Sequence, residues 1–280
     1  MLNMARSSYY YKKPLDLQRE KEDADLRDKI ESIVVEYERY GYRRVTAQLK
    51  RDGSGVNHKR VQRIMQQEGL VCKLKKRWVN TTDSDHPYPV APNLLKEAKI
   101  TGVNQAWVAD ITYIRIMTAF VYLAVILDVF SRKVVGWAIS LRIDTELTRA
   151  ALRMAIETRR PPKGCIHHSD RGVQYAAHEY VDALNAAGLQ ISMSRKGNPY
   201  DNAWAESFMK TLKNEEVYLW DYKTLEDVKK RVPYFIEEVY NEKRLHSTLG
   251  YCPPNEYEAR GAVKKNTNRQ TLLNSEALCV

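Results

Sequence analysis

The sequence contains no hydrophobic stretch long enough to cross a membrane. Its longest uninterrupted apolar run has nine residues, Ala119 to Leu127, whereas a transmembrane helix needs about 20. The first 14 residues contain no apolar segment of the kind found in secretory signals. We therefore expect a cytoplasmic protein that does not act with a membrane.

Cysteine, glycine and proline are also scarce. With only 12 glycines and 10 prolines, the chain does not have the composition of a low-complexity protein. Structural zinc sites and disulfide frameworks need closely spaced cysteines, and the sequence has no CxxC pair. These absences predict a packed globular protein whose cysteines are reduced and bind no metal. The four cysteines are Cys72, Cys165, Cys252 and Cys279.

Positive charge, in contrast, is abundant and concentrated. The 45 Lys and Arg residues outnumber the 35 Asp and Glu residues, which gives a net charge of +10. Residues 41–80 alone contain 11 basic residues and two acidic ones, a net charge of +9. Such a local excess favours a polyanionic partner, with nucleic acid ahead of a membrane surface.

Hydrophobic periodicity predicts three helices around this basic segment. Apolar side chains recur at helical spacing over residues 23–40, 45–51 and 58–68. A glycine-containing turn at 52–55 separates the last two helices, and Asn57 is placed to cap the third. Two short helices joined by such a turn, the second of them basic, are typical of a helix-turn-helix.

The third predicted helix would present Lys59, Arg60 and Arg63 on its solvent side. Cations on a helix that docks on DNA can pair with the backbone phosphates. We therefore predict that these three residues contact double-stranded DNA. The alternative is a small helical bundle whose basic face is only solvated.

Beyond residue 100 the pattern changes to an α/β arrangement. Short runs rich in β-branched residues come first, and strands then alternate with helices. This order predicts a mixed sheet flanked by helices. The strands are expected at 106–116, 121–127, 133–139, 164–168 and 189–193, and the helices at 144–158, 175–187 and from 203 onwards.

The composition also suggests where the domains end. A polar, proline-containing stretch follows the basic segment and indicates a linker. We predict an N-terminal helical, DNA-binding region at 1–79, a linker at 80–100 and an α/β domain at 101–260. The remaining residues, 261–280, form a tail to which no role is assigned.

Three carboxylates occupy informative positions in the α/β region. Asp110 interrupts the first strand, Asp170 follows the fourth, and Glu206 lies in the first turns of a helix. Clustered carboxylates repel one another unless divalent cations lie between them. Two Mg²⁺ ions about 4 Å apart would serve a phosphoryl displacement. Asp-to-Glu spacings of 36 residues occur three times in the sequence, so context and not spacing selects these residues.

Two lysines lie on the same side of the helix as Glu206. At 100° per residue, Lys210 and Lys213 fall within about 40° of it. We predict that both contact a DNA phosphate beside the metal-binding carboxylates. The alternative is an ordinary Glu–Lys pair on a solvated helix.

Several other polar and aromatic residues have two interpretations. His167 and His168 either bind metal, shuttle protons or shape the loop beside Asp170, and we favour the structural role. Asp128 is expected to cap a turn and not to act as a fourth carboxylate. Trp204 either packs in the core or stacks on a DNA base. Phosphate contact and domain closure both stay open for Asn241, Arg244 and His246.

Six motifs between about residue 40 and residue 257 carry a family resemblance. They are YGYRRVTAQL, WVADITYI, YLAVILDVFSRKVVGWA, HHSDRGVQY, SRKGNPYDNAWAESFMKTLKNE and YNEKRLHSTLGYCPP. Together they resemble the DDE transposases, and more narrowly the catalytic second-frame protein of the IS-three family of bacterial insertion sequences. The resemblance implies a ribonuclease-H-like fold with a retroviral-integrase-like catalytic core, preceded by a helical DNA-binding segment.

The resemblance also implies roles for individual residues. The family's metal-binding triad matches Asp110, Asp170 and Glu206, and its DNA-contacting basic residue matches Lys213. The implied activity is transposition, a form of DNA integration and recombination in which DNA strands are cleaved and transferred. It would use two Mg²⁺ ions, with Mn²⁺ as a substitute.

The implied partners are the double-stranded ends of a mobile element and a target DNA. Because two ends must be joined, we expect a homo-oligomer on DNA, associated with the bacterial nucleoid. A fusion with an upstream-frame product is also expected by resemblance. Two rival interpretations remain, namely a DNA-binding repressor without catalysis and a structure-specific nuclease that cleaves without joining.

Overall fold

The computed structural model describes residues 17–70, 89–195 and 199–261. The chain divides into two compact units, Met1–Lys73 and Leu74–Val280. No helix within the described ranges is long and apolar enough to cross a bilayer. The predicted tail lies outside these ranges except for Gly261, and so does the first part of the predicted linker.

Three helices, as predicted, lie in the described part of the N-terminal unit, residues 17–70. They are α1 (Leu17–Glu36), α2 (Tyr42–Arg51) and α3 (His58–Gln67). The Asn57 side chain accepts a hydrogen bond from the Lys59 N–H at 2.9 Å, so it caps α3 as expected. The helices enclose a small apolar core of Leu26, Ile30, Ile33, Val45, Leu49, Val61 and Ile64.

The first helix ends earlier than its hydrophobic pattern suggests. It stops at Glu36, four residues before the predicted end at Tyr40. In the turn that follows, the rings of Tyr37 and Tyr40 stack with centroids 4.5 Å apart, and Tyr40 is buried. Apolar residues in this turn therefore continue the helical pattern in sequence without belonging to the helix.

The second unit is built on a mixed five-stranded sheet. Its strand order is β3-β2-β1-β4-β5, with β1, β2 and β3 antiparallel and with β4 and β5 parallel to β1. This confirms the predicted ribonuclease-H-like α/β fold. The strands are β1 (Ala106–Arg115), β2 (Phe120–Asp128), β3 (Val134–Ser140), β4 (Ile166–Ser169) and β5 (Gln190–Met193).

Helices cover both faces of the sheet. They are α4 (Thr145–Arg159), α5 (Val173–Ala176), α6 (His178–Ala186), α7 (Ala203–Leu212) and α8 (Leu225–Tyr234). The described part of the unit also contains two 3₁₀ turns, Pro199–Asn202 and Ser247–Leu249, and two π-helical segments, Lys213–Val217 and Phe235–Lys243. Residues 254–261 are helical.

Side chains of β1 alternate between two apolar cores. Val108 packs in the core that contains α7, whereas Trp107 and Ala109 pack in the core that contains α4. The contact between β3 and α4 is so close that a Cβ atom on Gly136 would lie 2.3 Å from the Ala151 carbonyl oxygen. Alternation along β1 therefore places the helix that carries Glu206 and helix α4 on opposite faces.

Residues 92–100, predicted as the end of a linker, pack against the sheet instead. The Met193 N–H donates to the Pro92 carbonyl at 3.4 Å, and the Leu94 N–H donates to Ser192 Oγ at 2.9 Å. Leu95 is buried in the core on the α7 side. In the sequence, polar neighbours surround these apolar residues, so the segment resembles a linker. Burial of the apolar side chains nevertheless holds it on the sheet.

The C-terminal residues with two interpretations close the domain. Asn241 is fully buried and exchanges two hydrogen bonds, each of 3.0 Å, with the backbone of Val134 in β3. The buried Arg244 guanidinium pairs with Glu215 at 2.6 Å and contacts the His246 ring. These interactions hold the C-terminal segment against the sheet.

Candidate active site and nucleic-acid interface

The two aspartates occupy matching positions on the neighbouring parallel strands β1 and β4, Asp110 within β1 and Asp170 directly after β4. Residue Val108 of β1 pairs with His168 of β4, and this is the last pair of the ladder. Asp110 and Asp170 each lie two residues beyond that pair. Because the two strands run parallel, equal offsets beyond their last pair bring these two residues side by side.

Asn202 joins the helix of the third carboxylate to the strand of Asp110. Its buried side-chain Nδ2 donates to the carbonyl oxygen of Ala109 at 3.0 Å. Helix α7 begins directly after Asn202, so this bond joins the start of α7 to the residue before Asp110. Glu206 lies about one helical turn further on, at the exposed surface of α7.

Asp170 and Glu206 both affect the ionisation of Asp110. The pKa of Asp110 is raised to about 8, first by burial and then by the Asp170 charge, and Glu206 adds to the rise. The Ile111 N–H, which donates to Asp110 Oδ1 at 2.8 Å, opposes it. Partial burial also raises the pKa of Glu206. The site therefore holds concentrated negative charge that a cation would stabilise.

The three carboxylates are not arranged as a complete set of metal ligands. Among the residues that the structure describes, no group of three His, Cys, Asp or Glu side chains is close enough to hold a metal ion. Asp170 Oδ1 instead accepts the Gly172 N–H at 2.9 Å. The donors of the site are carboxylate oxygens, which suit a hard divalent cation such as Mg²⁺, so the residues fit the metal in their chemistry.

The two predicted lysines differ in their position. Lys213 is half-buried at the end of α7, and its Nζ lies 4.9 Å from the ring centroid of Tyr113. Burial lowers the pKa of Lys213, and the Asp110 carboxylate opposes that effect. Lys210 is exposed on the last turn of α7. The fold thus brings Lys213, but not Lys210, into the electrostatic environment of Asp110.

Sequence reasoning missed Tyr175. Its hydroxyl is buried and, among the described residues, has no hydrogen-bond partner. Burial raises its pKa well above the ordinary value, and Tyr180, Asp110 and Asp170 raise it further. The sequence places Tyr175 at the start of a predicted helix and does not indicate that it lies near the carboxylates. That position results from the packing of α5.

The two histidines before Asp170 have structural roles, as favoured from the sequence. His167 is buried with Nε2 3.0 Å from the Tyr180 hydroxyl. His168 bonds through its two ring nitrogens to Ser192 at 2.8 Å and Ser194 at 3.0 Å. Burial lowers the pKa of His167 to about 3 and that of His168 to about 4, so both rings are neutral at physiological pH.

Asp128 also fills the expected role of a turn cap. Its fully buried carboxylate accepts the backbone N–H groups of Phe130 and Ser131, each at 2.9 Å, and that of Asn104 at 2.6 Å. Each of these bonds is made to a charged acceptor, which strengthens it. Asp128 therefore builds the connection between β2 and β3 and does not take part in the carboxylate site.

The predicted DNA contacts of Arg60 and Arg63 meet a competing partner within the N-terminal unit. Arg60 Nε lies 2.6 Å from Asp23 Oδ1 and Arg63 Nη2 lies 2.5 Å from Asp23 Oδ2. Partial burial raises the pKa of Asp23, but hydrogen bonds from Arg63 and Arg60 outweigh this and lower it. Both arginines thus hold α3 against α1, while Lys59 is exposed. The α3 periodicity contains no information about the carboxylate on α1.

Three family models match the chain. A model described as "Integrase core domain" matches residues 101–199, and a second model of the same description matches residues 187–254. A model described as "HTH-like domain" matches residues 20–78. The matches cover the α/β unit and the three-helix unit respectively.

Curated relatives match most of the chain. The "Insertion element IS600 uncharacterized 31 kDa protein" of Shigella sonnei is 41% identical over 258 residues, 91% of this chain and 94% of the relative. The "Transposase for insertion sequence element IS904" of Lactococcus lactis is 40% identical, covering 83% of this chain and 93% of the relative. The "Transposase InsF for insertion sequence IS3A" of Escherichia coli is 38% identical, covering 79% and 77%.

Solved structures of retroviral integrase cores are also similar to the chain. The HTLV-2 integrase catalytic core domain in complex with magnesium is 16% identical with a TM-score of 0.42, covering 56% of this chain and 97% of that one. The BIV integrase core is 18% identical with a TM-score of 0.43, covering 58% and 99%. On the strength of the curated relatives and the family models, the chain belongs to the DDE transposases of the IS-three family of insertion sequences, enzymes of DNA strand cleavage and strand transfer.

Proposed function

We propose that Asp110, Asp170 and Glu206 are the catalytic, metal-binding carboxylates of this transposase. The observation that carries the proposal is geometric: Asp110 and Asp170 lie at the same offset beyond the last pair of β1 and β4, and the Asn202–Ala109 bond joins the helix of Glu206 to β1. Asp170 and Glu206 also raise the pKa of Asp110, and carboxylates gathered in this way need a counter-charge. Residues 101–260, extended by the packed segment from residue 92, would form the catalytic core.

The cofactor in this proposal is a pair of Mg²⁺ ions, with Mn²⁺ as a substitute. Asp110, Asp170 and Glu206 would hold them, because carboxylate oxygens are the ligands that such hard cations prefer. When bound, the ions supply activation of a water or 3′-hydroxyl and stabilisation of the leaving 3′-oxygen.

The residues around the carboxylates would position them and the DNA. The Ile111 and Gly172 N–H groups orient Asp110 and Asp170 through hydrogen bonds of 2.8 and 2.9 Å. Lys213 reduces the negative charge beside Asp110 and would contact a phosphate at the element end. Lys210, exposed on the same helix, would contact the DNA backbone further from the reacting atoms.

The N-terminal unit, with the predicted boundary 1–79, would hold double-stranded DNA at the element ends. Of the three basic residues predicted for this role on α3, Lys59 is the one exposed for a direct phosphate contact. Arg60 and Arg63 would also contact phosphates, in competition with Asp23 of α1. Joining two ends and a target DNA would require a homo-oligomer on DNA in the bacterial nucleoid, with an upstream-frame fusion partner.

The test is a strand-cleavage and strand-transfer assay with the full chain. A labelled duplex that carries the terminal sequence of the element is incubated with Mg²⁺, with Mn²⁺ or with EDTA. We expect cleaved and joined products with either metal and none with EDTA. Cleaved ends without joined products would favour a structure-specific nuclease, and binding without products would favour a non-catalytic repressor.

A further inference from the structure

The half-buried Arg132 of the catalytic unit differs in its contacts from three other arginines there. The side chains of Arg159, Arg231 and Arg244 each pair with a glutamate at 2.8, 2.7 and 2.6 Å. Arg132 forms no such ion pair among the described residues. Its guanidinium lies over the Trp204 ring, with its central carbon 5.6 Å from the centroid. A cation–π contact orients the guanidinium and leaves its donors available for an anion.

The backbone of Arg132 has an unusual conformation. Its φ angle is 64°, in the left-handed region that favours glycine. The turn is fixed by the buried Asp128 carboxylate, which accepts two backbone N–H groups, and by the Arg132 N–H, which donates to the Asp128 carbonyl at 2.9 Å. A strained residue that carries a large charged side chain points to a role beyond the turn itself.

Arg132 and Trp204 line a cleft on the face of the sheet that α7 covers. The cleft has a volume of about 320 Å³, within the range of small-ligand sites. Trp204 is two residues before Glu206, so the cleft adjoins the helix that carries the third carboxylate. Lys96 and Lys99 are exposed on the segment that forms one wall. The apolar part of the lining consists of Leu95, Ile100, Val129 and Phe130.

We propose that this cleft binds a backbone phosphate of the DNA at Arg132, with the adjoining sugar against the apolar wall. Charge complementarity supports this ligand, because the oriented guanidinium forms no ion pair among the described residues and the two exposed lysines outnumber the exposed Glu97 between them. Burial lowers the pKa of Arg132 and the buried Asp128 carboxylate opposes that effect, but the Asp128 oxygens accept backbone N–H groups. A nucleotide offers both the anion and an apolar surface. The inference rests on the proposed function for the identity of its ligand, and it adds a contact outside the carboxylate site. The competing occupant is an acidic side chain of a second copy of the chain.

The test is metal-free binding of the full chain to a labelled duplex with the element's terminal sequence, over a series of salt concentrations. Arg132→Gln should weaken binding about five- to tenfold and reduce the slope of log K against log salt by about one. The matched control is Arg153→Gln, which removes an exposed positive charge from α4 on the opposite face. It should leave affinity and slope close to wild type.

A second variant separates this role from folding. Arg132→Gly also removes the charge, but glycine adopts the φ angle of this turn without strain. Its unfolding temperature should equal or exceed that of wild type, while DNA binding falls as in Arg132→Gln. An unchanged slope in both variants would overturn the inference. So would unchanged DNA binding together with an altered sedimentation coefficient, which would assign the cleft to a second copy.

These outcomes are distinguishable from a failure of the proposed function. The binding series contains no divalent cation and therefore does not depend on cleavage. A wild-type chain that binds the duplex but forms no products with Mg²⁺ would contradict the proposed function alone. A catalytically active chain whose Arg132 variants bind like wild type would contradict the inference about the cleft alone.

Discussion

The Asn202 side chain donates a hydrogen bond to the Ala109 carbonyl at 3.0 Å, across 93 residues of sequence. This bond joins the strand that carries Asp110 to the residue directly before the helix that carries Glu206. Both groups are buried, so the bond has no competition from water. The relative position of two proposed catalytic carboxylates therefore depends on one amide.

Replacement of Asn202 should impair catalysis more than it impairs folding. Asn202→Ala leaves the Ala109 carbonyl without this donor, at a cost of about 1–3 kcal/mol in unfolding free energy. A small displacement of Glu206 can reduce the reaction rate about 100-fold. The control is Asn241→Ala, which removes another buried amide that bonds to β3. Unfolding in denaturant and strand-transfer rates are measured together, and equal activity losses in the two variants would argue against the positioning role.

The two lysines of α7 provide a matched pair. Lys213 lies in the field of Asp110, whereas Lys210 is exposed. Lys213→Gln should reduce the single-turnover cleavage rate at saturating DNA by about tenfold or more, since it removes a charge from the reacting site. Lys210→Gln should change mainly the salt dependence of binding. Equal effects of the two variants on the rate would show that Lys213 has no special role.

Asp23 competes with DNA for two arginines. Asp23→Asn should lower the unfolding free energy by about 1 kcal/mol, because it breaks the pairs with Arg60 and Arg63. The same variant should bind DNA more tightly, since both guanidiniums become available to phosphates. Asp25→Asn removes an exposed carboxylate of the same helix. It should change the unfolding free energy and the DNA affinity less than Asp23→Asn does. Filter binding and thermal unfolding of both variants are the measurements. Weaker DNA binding by Asp23→Asn would show that the position of α3 on α1, not the release of the arginines, dominates.

The buried His167 makes stability depend on pH. Its pKa is about 3 in the folded chain, against 6.5 for an unperturbed ring. Below pH 6.5, His167 binds a proton in the unfolded chain but stays neutral in the folded chain. The free energy of unfolding therefore decreases as the pH falls below 6.5. The loss amounts to about 1.4 kcal/mol per pH unit for one such group. Denaturant unfolding at pH 7.5 and pH 5.5 should therefore show a smaller loss for His167→Gln than for wild type. An equal loss would mean that His167 is accessible to protonation.

Local pattern and tertiary packing determine different parts of this structure. Hydrophobic periodicity was sufficient to predict the strands and helices α2 and α3, and the residue type of Asn57 was sufficient to predict the cap. These features depend on neighbours in sequence. The interruption of β1 by Asp110 was visible because an apolar residue would be expected there. In contrast, Arg60 pairs with Asp23 across 37 residues, and the contact of Arg132 with Trp204 crosses two elements. Such pairs depend on how helices pack, which no periodicity contains.

The most direct test of the proposed catalytic site compares charge-neutralising variants of the three carboxylates. Asp110→Asn, Asp170→Asn and Glu206→Gln are assayed for cleavage and joining of labelled ends with Mg²⁺, beside Asp182→Asn, an exposed control on α6. We expect each of the three variants to bind the DNA and to lose cleavage by about 1000-fold or more, while the control keeps wild-type activity. Wild-type cleavage by any one of the three variants would contradict the assignment of the site.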